Sequence, residues 1–222
     1  MLRAVIFDMD GVLIDTVGAA YRVKSEILRD QYDIDLATVH DPHLERHKGS
    51  SIESLLRTVR IYSGKAIDEV TFTNKVVAGI TKDLRARGVT ADQRLIKLMD
   101  GLRQNGVRLA IGTTATKLSA DNKLAILGIC SYFELVLTAE DVKRHKPDPA
   151  IYVKAMKLLG VKQDETVIVE DSRAGIEAGI LAGATVVGFT GFTVNKGPLR
   201  DTALTIDSWN QINFEKLSLL VG

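Results

Sequence analysis

The sequence predicts an α/β fold, a parallel sheet core interrupted by an all-helical insertion, and three observations predict it. Short apolar runs rich in β-forming residues recur along the chain, each closed by acidic, Thr or Gly residues, as strands buried on both faces are. Amphipathic helical patterns separate them, and strands alternating with helices favour parallel pairing through right-handed crossovers. From Thr16 to about Gly88 the alternation breaks, with helical signals and no convincing buried strand.

Taken in order, the first strand is Arg3-Ala-Val-Ile-Phe7, stopped by Asp8, Asp10 and Gly11. In the insertion, Tyr21–Leu28 is amphipathic, Ser50 with Glu53 forms a capping box opening a helix over Ile52–Tyr62, and Ile67, Val70, Val77, Ile80 and Leu84 trace one face of a third helix. Ala91–Gln104 is the clearest core helix, with Thr90 and Gln93 as its capping box and Asn105-Gly106 as its stop. Further strands are Val107–Gly112, Glu134–Leu137, Thr166–Val169 and Ala184–Phe189. The helices between them are Lys117–Leu127, closed by Gly128, one begun by Asp148-Pro149 and ended at Gly160, and Ser172–Leu181, closed at Gly183. Gly191–Pro198 reads as a surface loop. The division is therefore a core of 1–15 and 89–222 with a helical cap of 16–88, over the end of the sheet where open α/β folds bind ligands.

Composition narrows the functional classes. The 222 residues are 45% hydrophobic and 26% charged, ordinary globular usage, and hold one large domain or a core with a companion. With 29 Lys and Arg against 28 Asp and Glu the net charge is +1, without the basic bias of a nucleic-acid binder. The apolar run before Asp8 is too short for a signal or membrane segment, and the single Cys130 forms no internal disulfide, so the expectation is a cytoplasmic protein with no membrane partner.

The chemistry-bearing residues lie at strand ends. Asp8 and Asp10, at i and i+2, share one face of an extended chain, so both can reach one ion or substrate. The same Asp-x-Asp-Gly is also a turn composition; an EF-hand is disfavoured because Gly comes fourth and a strand precedes. Glu170-Asp171 ends another buried strand in the same way. Strands side by side bring such pairs together, and close carboxylates repel, so the pocket needs a cation. Oxygen-only ligands select a hard ion, and Mg²⁺ is the expected one. Thr113, at a strand end, and Lys146, in a loop stiffened by Pro147 and Pro149, supply a hydroxyl and a positive charge for an anion.

Four segments in this order, Asp8-Met-Asp10-Gly-Val-Leu-Ile-Asp15-Thr16, Leu109-Ala-Ile-Gly-Thr113, Lys146-Pro-Asp-Pro149 and Val167-Ile-Val-Glu170-Asp171-Ser172, resemble the motifs of the haloacid dehalogenase superfamily over essentially the whole chain. The resemblance implies a Rossmann-like parallel sheet with the first strand central, a mobile helical cap and Mg²⁺ dependence. It implies Asp8 as the nucleophile that becomes an aspartyl phosphate, and Asp10 as general acid and then base, its backbone carbonyl on the metal. Thr113 would bond the transferring phosphoryl, Lys146 would neutralise it and Asp8, and Glu170 and Asp171 would complete a metal set of Asp8, Asp10, Glu170 and Asp171.

Because Asp10 is present, the resemblance favours phosphate-ester chemistry over dehalogenation. The β-phosphoglucomutase branch is the nearest alternative; its cap histidine is matched here by Ala20 and its cap arginine by Ile52, which favours a phosphatase. A receiver-like, non-catalytic phospho-switch is a third reading, disfavoured by the position of the acceptor Asp. The expected substrate is a small phosphorylated metabolite and the expected state a monomer or weak homodimer. His40, His43, His47 and His145 read as surface residues, Cys130 as a small buried apolar residue, and the trio Arg46-His47-Lys48 as either a solvated helix end or a recognition patch.

Overall fold

The computed structural model describes residues 1–36, 52–193 and 197–221. It has a six-stranded sheet: β1 Ala4–Phe7, β2 Arg108–Gly112, β3 Leu135–Leu137, β4 Thr166–Glu170, β5 Thr185–Phe189 and β6 Leu204–Ile206. Their order is β3-β2-β1-β4-β5-β6 with every pair parallel, a Rossmann-like sheet whose central strands are β1 and β4. The helices are α1 Val17–Tyr32, α2 Ile52–Ser63, α3 Glu69–Ala86, α4 Gln93–Gln104, α5 Lys117–Leu127, α6 Ala150–Leu159, α7 Arg173–Leu181 and the short α8 Phe214–Ser218.

The chain divides into two compact units, Met1–Asp15 with Thr90–Gly222, and Thr16–Val89. In the first unit β1 is buried on both faces. Ala4 and Ile6 join Ala110 and Ile168 in a cluster covered by Ile151, Ala155 and Leu159 of α6 and by Ala178 of α7. On the other face the Phe7 ring meets Phe133 and Trp209 edge-on, each at 6.1 Å, and Trp209 stacks on Phe189 at 4.3 Å. The helical unit has its own core, Val23, Ile27 and Leu28 of α1 against Leu55, Leu56 and Val59 of α2 and Phe72 and Val76 of α3. Arg22 ties α1 to α3 through two hydrogen bonds to Asp83, at 2.8 and 3.2 Å.

Four details differ from the sequence reading. The third helix of the insertion spans Glu69–Ala86 and buries Phe72, Val76 and Leu84, so Ile67 precedes it and Val70 of the expected face is exposed. The Ala91–Gln104 helix begins at Gln93, because Asp92, and not Thr90, takes the extended cap conformation and accepts from the Arg94 amide at 2.8 Å. β6 was not anticipated: three residues, only Ile206 of them buried, are too few to show a period. Cys130 is exposed, against the expected burial, because it opens a short 3₁₀ turn in which the preceding Ile129 takes the interior position. The Ser50 cap lies outside the described residues.

Trp209 is 2% exposed and joins the sheet to the C-terminal segment. Trp209→Ala should lower unfolding free energy by about 3–5 kcal/mol, read from urea denaturation followed by circular dichroism, because removing a buried indole leaves a cavity that the sheet cannot close.

Candidate active site

The register of the central strands assembles the site. Phe7 lies opposite Ile111 on one side and Val169 on the other, so the residues that follow or end these strands, Asp8, Gly112 and Glu170, emerge together at their carboxyl ends. The Asp8 amide donates to the Val169 carbonyl at 2.9 Å, extending the ladder by one step and setting the direction of its side chain.

Lys146 joins these ends. Its Nζ donates to Asp8 Oδ1 at 2.5 Å, Glu170 Oε1 at 2.6 Å and the Gly112 carbonyl at 2.9 Å, using all three protons of the ammonium. The Lys146 side chain is 4% exposed and that of Glu170 fully buried, so this is an interior ion network whose desolvation is offset by near-complete hydrogen bonding. Tyr152 of α6 donates to Glu170 Oε1 at 2.7 Å, and its ring centroid lies 4.8 Å from Lys146 Nζ, within cation–π reach. Glu170 Oε2 accepts from the amides of Asp171 and Ser172 and from Ser172 Oγ. Ser172 Oγ in turn caps α7 by accepting from the Gly175 amide at 3.0 Å.

Two glycines make room for the carboxylates. Gly11 has φ +85, and a Cβ there would stand 1.9 Å from Asp171 Oδ2; a Cβ on Gly175 would stand 1.7 Å from Glu170 Oε1.

Asp8, Glu170 and Asp171 each present an oxygen within 4.8 Å of the others. Burial first, and then the neighbouring Glu170, push the Asp171 carboxyl up to about 7. Asp8 is also raised well above the usual carboxylate range, by burial above all, with Lys146 opposing and Glu170 adding to the shift. Burial would depress Lys146, but attraction to Asp8 and Glu170 outweighs it and its pKa is raised. When ionised, these three close carboxylates outnumber the one ammonium that bridges Asp8 and Glu170, and hard oxygen donors in this number suit Mg²⁺.

Of the residues singled out from sequence, Asp8, Lys146, Glu170 and Asp171 converge. Thr113 stands at the end of β2, 1% exposed, with Oγ1 accepting from the Ala115 amide at 3.1 Å. The Asp10 carboxylate lies outside the oxygen cluster and is paired with Lys123 of α5, at 2.6 and 2.7 Å. The sequence does not single out Lys123 or Tyr152, since each sits in an ordinary helix and meets its partner only in the folded chain. His145 is exposed, while His40, His43, His47 and the Arg46–Lys48 trio lie outside the described residues. Among those residues no helix is long and apolar enough to cross a membrane.

A parallel sheet in this order, with acids at the carboxyl ends of its central strands and a lysine bridging two of them, defines a Rossmann-like α/β enzyme class. The family described as haloacid dehalogenase-like hydrolase matches residues 5–189, and the chain belongs to it. Hexitol phosphatase A of Escherichia coli is 30% identical over 96% of this chain and 94% of its own length. A phosphorylated carbohydrates phosphatase of Thermotoga maritima is 29% identical over 82% of each chain. The crystal structure of a β-phosphoglucomutase from Clostridium difficile superposes with a TM-score of 0.77 at 27% identity, covering 99% of this chain and 96% of that one.

The carboxyls make a prediction about pH and metal. A folded-state pKa of about 7 for Asp171, against 3.8 unfolded, means that the folded protein holds the extra proton between those values. The metal-free protein should therefore lose stability as pH rises through that window. Mg²⁺ competes with the proton, so the rise in Tm caused by added Mg²⁺ should be larger near pH 7.5 than near pH 5. Differential scanning fluorimetry checks this, and an equal rise at both pH values contradicts it.

Proposed function

We propose that the protein is a Mg²⁺-dependent phosphatase acting on a small phosphorylated metabolite through an aspartyl-phosphate intermediate on Asp8. The observation that carries this reading is Lys146 bridging Asp8 and Glu170 beside Asp171. Phosphoryl transfer depends mainly on in-line positioning and charge neutralisation, and a buried carboxylate under a fixed ammonium suits the first nucleophile. The phosphatase names of the relatives support the same class and suggest phosphorylated sugars or polyols as substrates.

In this reading an Asp8 oxygen forms a bond to phosphorus as the bond from phosphorus to the leaving oxygen breaks. Asp10 delivers a proton to that oxygen and then takes one from the water that attacks the phosphoenzyme, returning Asp8 as a carboxylate. Lys146 offsets the negative charge of Asp8 and of the transferring group, and Thr113 donates to a phosphoryl oxygen. Asp8, Asp171 and Glu170, with the backbone carbonyl of Asp10, would hold Mg²⁺. When bound, the ion supplies charge neutralisation at the phosphoryl oxygens and helps orient them.

The β-phosphoglucomutase likeness keeps a mutase as the second reading. Position 52, where that branch carries a cap arginine, holds Ile52, which packs against the helical unit's own apolar cluster. Position 20 holds Ala20, which offers no proton donor. Both favour transfer to water.

Two experiments test the reading. With a panel of phosphorylated sugars, polyols and nucleotides, phosphate release should require Mg²⁺, stop in excess chelator and fail with Ca²⁺, whose larger and looser shell spoils in-line geometry. Asp8→Asn should abolish release, whereas Asp10→Asn should lose about 10²–10⁴-fold, the worth of general acid–base help. Undiminished turnover by Asp8→Asn would remove the proposed nucleophile. In the second experiment, phosphorus NMR of a mixture of β-glucose 1-phosphate and a glucose bisphosphate should show inorganic phosphate accumulating. Glucose 6-phosphate with little inorganic phosphate would establish the mutase instead.

A further inference from the structure

Four carboxylates crowd the carboxyl ends of β1 and β4, and two lysines divide them. Lys146 serves Asp8 and Glu170, while Lys123, from the middle of α5, places its Nζ between both oxygens of Asp10 at 2.6 and 2.7 Å. The Lys123 side chain is 9% exposed and that of Asp10 35%, so the lysine end of this pair is interior and the acid end opens outward. On α5 the buried neighbours of Lys123 are Ser119, Ala120, Leu124 and Leu127, a face on which an ammonium is expensive to keep unless it is paired. Around Asp10 the backbone is already fixed, by the Asp10–Ile14 bridge and the Gly11 amide on the Ile14 carbonyl. The bidentate contact removes the remaining side-chain freedom, and it holds the Asp10 carboxylate apart from the oxygens of Asp8, Glu170 and Asp171.

We propose that Lys123 is a positioning residue for the reaction, anchoring the Asp10 carboxylate in the one orientation from which it exchanges a proton with the leaving oxygen and then with water. The proposal rests on the phosphatase reading, in which Asp10 carries that proton. An acid that must act at two successive steps gains from a locked rotamer, because a displacement of about 1 Å costs on the order of 10²-fold in rate. Lys123 touches neither the substrate nor Asp8 in this account; it acts through Asp10 alone.

Two aryl esters of nearly the same shape separate this role from a merely structural one. Nitrophenolate leaves without protonation, whereas the more basic phenolate needs the acid. The proteins are the wild type, Lys123→Met, Lys123→Arg, Asp10→Asn and the double variant Lys123→Met/Asp10→Asn, assayed with Mg²⁺ on p-nitrophenyl phosphate and phenyl phosphate. Lys123→Met should lower single-turnover phenol release by about 30-fold or more, with KM within about twofold, a fraction of full general-acid loss. The pre-steady-state nitrophenol burst should stay within about threefold of wild type, since that bond breaks without Asp10. Lys123→Arg should recover most of the phenol rate, and adding Lys123→Met to Asp10→Asn should change little, because both remove one function.

Equal losses on the two esters, full additivity in the double variant, or wild-type rates for Lys123→Met would each overturn the proposal. If Lys123→Met does not fold, Lys123→Gln is compared in the same way. A wild type that releases phosphate from neither ester defeats the phosphatase reading, and this proposal with it. A wild type that turns over both, with variants insensitive to the leaving group, defeats the proposal alone.

Discussion

The ammonium of Lys146 is the interaction on which the rest of the site depends. Parallel pairing of β1 with β4 places Asp8 and Glu170 side by side in the interior, where two carboxylates repel strongly and water does not screen them. One buried cation hydrogen-bonded to both, and to the carbonyl that ends β2, turns that repulsion into a cross-link among three strand ends. Each proton of the ammonium has an acceptor, the condition under which a buried ion pair is tolerated. Removing the lysine would leave charge in a place built to exclude solvent.

Much of the surrounding architecture maintains this arrangement. Tyr152, fully buried, shares Glu170 Oε1 with Lys146 and stands against the lysine with its ring, so α6 fixes both the acid and the base of the pair. The turn into α7 wraps the other Glu170 oxygen with two amides and a hydroxyl. Gly11 and Gly175 leave the space into which Asp171 and Glu170 extend, so side-chain volume is subtracted where charge must fit. Glu170 is thereby more completely hydrogen-bonded than a simple metal-ligand reading of its pair implied.

Charge is also compartmentalised. Lys123 engages Asp10 and Lys146 engages Asp8 and Glu170, which leaves Asp171 as the acid in greatest need of a further cation. Its carboxyl is raised to about 7 by burial first and by the neighbouring Glu170 second. Two lysines with separate carboxylates allow neighbouring acids to hold different environments on one short loop, the condition for assigning them different chemical tasks.

How much was legible in the sequence differs from residue to residue. The buried strands announce themselves as continuous apolar runs, because both faces of β1 and β4 are covered, and their acidic ends stand out against them. Asp8, Lys146, Glu170 and Asp171, which the fold brings together, could be singled out because their order along the chain is the one that carried the family resemblance. β6 and the Asp92 cap were not, since a three-residue edge strand has no period and neighbouring polar residues compete for a cap. Lys123 and Tyr152 were hidden for a deeper reason. Local sequence determines which residues become a helix and which face is apolar, but the partners of Lys123 and Tyr152 lie 113 and 18 residues away. Only the packing of α5 and α6 against the sheet decides that one meets Asp10 and the other Glu170, because such pairings depend on crossover geometry and not on any pattern along the chain.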